Sequence, residues 1–148
     1  MIIKFSKLDE RIPNPDRKTH LSSGFDIVNY SYEPIVVEKF KTVMLRTGLI
    51  FEVPEGFEGQ LRIRSGISFK GVLLLNGIGT IDADYRGEVK IPIIYLGNED
   101  SIIIEPFERV AQMVFLAVSH NIVLCQVGEI ELSKTLRGAG GLGHTGKF

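Results

Sequence analysis

Short runs of β-branched and aromatic residues recur along the whole chain, and glycine, proline, asparagine or aspartate closes most of them. They read IIKF, PIVVE, GLIFEVP, GQLRIRS, VKIPIIYLG, SIIIE and RVAQMVFLAV. Each is about five to ten residues long, the usual span of a strand. This punctuation constrains the fold more than any other feature, because no amphipathic helical period extends beyond a few turns. GQLRIR alternates cleanly, with Leu61 and Ile63 on one face and Gln60, Arg62 and Arg64 on the other. VPEGFEGQ and LGNEDS are turn clusters. SGISFKG (65–71) predicts a single helical turn. ERVAQMVF has some helix propensity, but its Val/Phe-rich end and its strand-like neighbours predict β. Many short strands with regular turn signals predict an all-β domain: a sandwich, a jelly roll or a small barrel. No internal repeat is present.

With 148 residues and 44% hydrophobic content, the chain can bury one core and is short for two domains. Residues 1–136 read as a single β-rich domain. RGAGGLGHTGKF (137–148) is a different material, with five glycines and few anchors; it is expected to be mobile when nothing is bound. The formal net charge is −1, so overall charge will not draw in a nucleic acid, and any phosphate site must be built from particular arginines. A single cysteine, Cys125, excludes an internal disulfide framework and a multi-cysteine zinc cluster. No signal peptide is evident at MIIKFSKLDE, and no apolar stretch approaches a membrane span. A soluble cytoplasmic protein is expected.

The tail carries two phosphate-loop spacings without the context either needs. Gly138, Gly140 and Gly143 satisfy G-x-G-x-x-G, and Gly141 to Lys147 satisfies G-x-x-x-x-G-K, but no strand–loop–helix unit can follow so close to the chain end. What remains is a set of open backbone N–H groups flanked by Arg137 and Lys147. In RSG (64–66), Arg64 offers a planar fork, Ser65 a hydroxyl and Gly66 an open amide; taken alone, a surface arginine before an ordinary turn is the favoured explanation. Asp26 in LSSGFDI sits between Phe25 and Ile27, where it can cap a turn, pair with an arginine or hold a metal's water shell. Arg109 and Gln112 lie in an apolar context and can serve buried backbone groups. In IDADYRGE, Asp82 and Asp84 would share a face on an extended backbone, with Tyr85 opposite. Two like charges so placed ask for a counter-charge, such as Arg86 or a metal. His20, His120 and His144 share no metal-ligand spacing.

Taken together and in order, SSGFDI, IRSGIS, LNGIGTIDADYRGEV, ERVAQMVF and RGAGGLGHTG resemble the five motifs of the trimeric dUTP pyrophosphatase (dUTPase) family, over residues 21 to 147. The resemblance implies a jelly-roll-like fold, a homotrimer with active sites at subunit boundaries, and Mg²⁺-dependent hydrolysis of dUTP to dUMP and pyrophosphate. This keeps uracil out of DNA and supplies dUMP for dTMP synthesis. It implies no nucleic-acid or membrane partner. Asp82 matches the carboxylate that deprotonates the water attacking the α-phosphorus, and Tyr85 the ring beneath the deoxyribose. Arg64, Ser65, Gly66 and Gln112 match phosphate-contacting positions, and Asp26 the carboxylate that holds the outer waters of Mg²⁺. Asn76, Gly79, Thr80 and Ile81, in the hairpin around LNGIGTI, match the uracil-reading segment, and Lys90 a further substrate-binding position. Arg137, Gly141, Leu142, Gly143, His144 and Thr145 match the closing tail. Arg109 and Asp84 are expected behind these contacts, Arg109 as an ion-pair partner.

The chain departs from the family pattern in places. Leu142 stands where an aromatic residue usually covers the base, and His144 where a serine usually meets phosphate. Ser23 replaces a common alanine. Two rival functions remain: a dCTP deaminase of the same fold, alone or combined with dUTPase activity, whose hairpin motif differs from IDADYRG, and a non-catalytic nucleotide-binding jelly-roll regulator.

Overall fold

The structure is a computed structural model and describes residues 1–141. Eleven strands follow in chain order: β1 (Lys4–Lys7), β2 (Phe25–Val28), β3 (Ile35–Glu38), β4 (Thr42–Arg46), β5 (Leu49–Glu52), β6 (Phe57–Ile63), β7 (Val72–Leu74), β8 (Gly79–Ile81), β9 (Lys90–Tyr95), β10 (Ser101–Ile104) and β11 (Arg109–Ala117). One helical turn, α1 (Ser65–Ser68), follows β6, as SGISFKG predicts, and a 3₁₀ turn spans Glu129–Glu131. RVAQMVFLA is a strand and not a helix, the outcome its β-branched residues favour.

The strands form four antiparallel sheets: β2-β11-β6-β8, β4-β9-β7, β1-β5 and β10-β3. Period-2 patterning decides which faces point inward. In β9, Ile91, Ile93 and Tyr95 are buried, while Lys90, Pro92 and Ile94 face outward. In β6 and β11, Leu61, Ala111 and Met113 join Ile27, Leu45, Leu49, Val72 and Ile104 in one core. Each fully buried Leu or Ile contributes roughly 1.5–3 kcal/mol. The result is the all-β, jelly-roll-like body expected from the sequence. No helix among the described residues is long and apolar enough to cross a membrane.

One local expectation fails. LNGIGTI is not a hairpin: β7 pairs with β9 and β8 pairs with β6, so residues 75–78 carry the chain from one sheet to another. The IDADYRGE segment likewise joins β8 to β9 across two sheets. Edge strands are the consequence. β8 ends its sheet and has no partner on its outer side, which leaves backbone N–H and C=O groups free there.

Candidate active site

Two groups of site residues form, and each owes its geometry to strand register. The first surrounds a cavity of about 280 Å³ beside the free edge of β8. Asn76, Gly79, Thr80, Ile81, Asp82, Tyr85 and Lys90 line it, all picked out by sequence, together with Met44, Leu61, Glu88, Val89 and Pro92. Met44 and Pro92 arrive as direct partners in the β4–β9 ladder; nothing in the sequence marks either.

Asp82 lies just past the end of β8, where the chain turns: the Tyr85 N–H donates to the Asp82 carbonyl at 3.2 Å. The extended backbone that would have put Asp82 and Asp84 on one face is therefore not formed. Nor does Arg86 supply the counter-charge. Its Nη1 donates to the carbonyls of Ala83 (2.6 Å) and Tyr85 (2.8 Å), tying up the turn. Among the described residues no ion pair reaches Asp82 or Asp84. Arg86 ties the turn's backbone, and both acids are exposed. Asp82 also borders a second, open cavity of about 580 Å³ that Glu58, Asp84 and His120 help to line.

The Tyr85 hydroxyl donates to the Glu88 carbonyl at 3.0 Å. Its ring lies so close over Gly87 that any side chain there would strike the ring carbons and hydroxyl. Glycine at 87 is thus a packing requirement of the tyrosine, and the ring stays half-exposed to the cavity.

The second group sits on the outer face of the β2-β11-β6 sheet. Asp26, Gln112 and Arg62 are direct cross-strand partners, so their side chains share a face. Asp26 is bracketed by two guanidinium groups: Arg64 Nε lies 3.1 Å from Oδ1, and Arg109 Nη1 3.1 Å from Oδ2. Arg64 also donates to the Arg109 carbonyl at 3.1 Å. Gln112 lies across Gly24, where a side chain would come within 2.5 Å of its Oε1. Ser65 and Gly66 are exposed on α1, with open space over Gly66. Arg109 is thus an ion-pair partner of Asp26, the contact expected for it, and Arg64 is its symmetric counterpart, which the sequence did not reveal.

The two groups do not meet within one chain. Neither cavity bordered by Asp82 is lined by Asp26, Arg64, Ser65, Gly66, Arg109 or Gln112. In the tail, Arg137 Nε donates to the Gly140 carbonyl at 2.8 Å, and Gly141 is exposed. Leu142, Gly143, His144 and Thr145 lie outside the described residues.

The chain is thus an all-β, jelly-roll-like protein with an acid at the lip of one cavity and a separate arginine–aspartate group. The dUTPase family profile matches residues 10–146: the chain belongs to the dUTPase family. It is 42% identical to the deoxyuridine 5'-triphosphate nucleotidohydrolase of Nautilia profundicola, covering 99% of this chain and all of that protein. It is 46% identical to the enzyme of the same name from Aquifex aeolicus, over 80% of each. The solved structure of the Staphylococcus bacteriophage 80alpha dUTPase with dUPNHPP superposes with a TM-score of 0.83, at 27% identity and 98% coverage of both chains.

Proposed function

We propose that this protein hydrolyses dUTP to dUMP and pyrophosphate, with Asp82 as the general base. The carrying observation is the free carboxylate of Asp82 at the rim of a cavity whose other wall is an unpaired strand edge. A base needs a lone pair that no cation holds, and an edge strand offers fixed donors and acceptors to a nucleobase. Uracil presents acceptor, donor, acceptor along its edge. Backbone groups on the free edge of β8, with Asn76, would read that pattern, and cytosine would leave buried groups unpaired, which discriminates by roughly 10⁴-fold. Tyr85 packs against the deoxyribose where a 2′-hydroxyl would collide. Thr80, Ile81 and Lys90 complete the wall.

The triphosphate needs more positive charge than Lys90, the one cation lining this cavity, provides. Arg64, Ser65, Gly66 and Gln112 supply donors from the other group, and they reach the same substrate only from another copy of the chain. A homotrimer with sites at subunit boundaries satisfies this. It also covers the apolar segment after β11, in which Ile122, Val123, Leu124 and Ile130 are exposed, Leu124 at 94%; contiguous apolar surface of this kind marks an association site. Arg137 and residues 141–145 close over the distal phosphate and the base. Deleting 137–148 is expected to spare the fold and cut turnover.

Magnesium fits the donor set in one particular way. Among the described residues no three His, Cys, Asp or Glu side chains could cage a metal. An ion carried mainly by substrate phosphates and waters needs only one or two carboxylates. Asp26 engages one guanidinium per oxygen and keeps lone pairs for such waters. Mg²⁺ bound there would neutralise phosphate charge and orient the triphosphate for in-line attack.

The test is a panel of dUTP, dCTP, dTTP and UTP with excess Mg²⁺, measuring pyrophosphate and ammonia. Pyrophosphate from dUTP alone is expected. Ammonia from dCTP would make the protein a deaminase, and dUTP binding without pyrophosphate would make it a regulator.

A further inference from the structure

The geometry points to Glu88 as a positioning residue that sets sugar selectivity by fixing the peptide on which Tyr85 rests; this deepens the dUTP reading and rests on it. The Tyr85 hydroxyl has one partner, the Glu88 carbonyl, and the ring has no side chain beneath it at Gly87. The orientation of the ring therefore depends on where residue 88 is held.

Residues 88 and 89 are held by a single segment, residues 46–49. The Glu88 carboxylate accepts from Arg46 Nε at 3.1 Å to each oxygen, and Oε1 accepts the Gly48 N–H at 2.8 Å. One residue further on, the buried Thr47 hydroxyl donates to the Val89 carbonyl at 2.6 Å, and the Val89 N–H donates to the Leu49 carbonyl at 2.9 Å. The Glu88 side chain is mostly buried, at 14% exposure, yet it also borders the cavity shared with Asp82 and Tyr85. The segment from Arg46 to Leu49 thus forms a clamp on the far side of the tyrosine. The backbone contacts at 89 need no particular side chain at 88, whereas the contact to Arg46 requires an acid of this length and that to Gly48 an acceptor there. Without them the 85–88 segment is free to shift, and a misplacement on the order of 1 Å near reacting groups costs up to about 10²-fold.

The experiment measures kcat and KM for dUTP and UTP in full-length wild type, Glu88→Ala, Glu88→Gln, Tyr85→Phe and Glu88→Ala/Tyr85→Phe. Asp82→Asn serves as the control for the underlying reading. Glu88→Ala is expected to lower the dUTP:UTP ratio of kcat/KM about tenfold, mostly through KM for dUTP. Tyr85→Phe should do the same, and the double variant no more than either alone, because both break one linkage. Glu88→Gln keeps an acceptor for Gly48 and should lose roughly threefold; it also serves if the alanine variant does not fold. A merely structural acid would lower Tm and leave the ratio untouched. An unchanged ratio in both Glu88 variants, or losses in the double variant that multiply, overturns the inference. If wild type fails to hydrolyse dUTP, or Asp82→Asn turns over normally, the dUTP reading itself has failed.

Discussion

Asp26 and Asp82 are the same residue in opposite settings. Asp26 lies within strand β2, its N–H donating to the Asp16 carbonyl at 2.9 Å, its side chain 13% exposed and shared between two arginines. Asp82 lies past a strand end, in a turn tied by Arg86 that leaves the carboxylate without a cation. A carboxylate between two guanidinium groups is held in place by them, which suits a bracket that presents positive charge. A carboxylate facing a cavity can accept a proton. The strand holds one acid where partners are obligatory, and the turn holds the other where they are absent.

The largest test of this contrast is Asp82→Asn. It should lower kcat by on the order of 10²–10⁴, the usual share of a general base, with nucleotide binding and thermal stability near wild type. A turnover within about tenfold of wild type would break the comparison. Asp26→Asn should act differently. It leaves Arg64 and Arg109 without a counter-ion, so KM should rise about tenfold and kcat fall less. Stability should drop by about 1–2 kcal/mol, a modest figure because both arginines are substantially solvent-exposed. Parallel steady-state kinetics and denaturant titrations of the two variants separate the roles. If Asp26→Asn lost kcat alone, the bracket reading would be wrong.

Much of this was legible in the chain. The alternation of GQLRIR buries Leu61 and leaves Gln60 and Arg62 toward solvent, and SGIS forms its turn, because both are decided by neighbours in sequence. The acid and the ring of IDADYRGE reach one cavity because they are three residues apart. What was hidden depends on partners far along the chain. Strand β4 has no turn signals of its own, and its pairing with β9 brings Met44 into the cavity wall. The contact of Arg64 with Asp26 exists only because β2 and β6 both pair with β11. The two-residue spacing of Asp82 and Asp84 misled because it assumes an extended backbone that the turn replaces. LNGIGTI misled because a turn sequence does not say whether the strands it joins will pair with each other.

The exposed apolar segment after β11 extends the contrast from side chains to assembly. Leu124→Asp should shift the proposed trimer toward smaller species in sedimentation at low micromolar concentration. Activity per chain should fall with it. A stable trimer in that variant would show that this residue is not buried between copies.

A third aspartate sharpens the comparison with the smallest effect. Asp9 accepts from Arg11 Nε at 3.0 Å and Nη2 at 2.7 Å, and from the Tyr30 hydroxyl at 3.0 Å and that of Tyr32. The Arg11 guanidinium, with the Tyr32 hydroxyl next, holds its carboxyl well below the usual carboxylate range. The pair also lies away from both cavities, so Asp9 is an acid occupied like Asp26 but with no substrate to serve. A pKa depressed by folding contributes stability that is fully present above the unfolded value, about 3.9, and is lost as pH falls below it toward the folded value. The Tm difference between wild type and Asp9→Asn should therefore be constant from pH 8 to about 5 and shrink below about pH 4, while kcat/KM for dUTP stays unchanged. A difference that persists undiminished at pH 3 would mean that the shape of the side chain, and not its charge, fastens the N-terminal segment to Tyr30 and Tyr32.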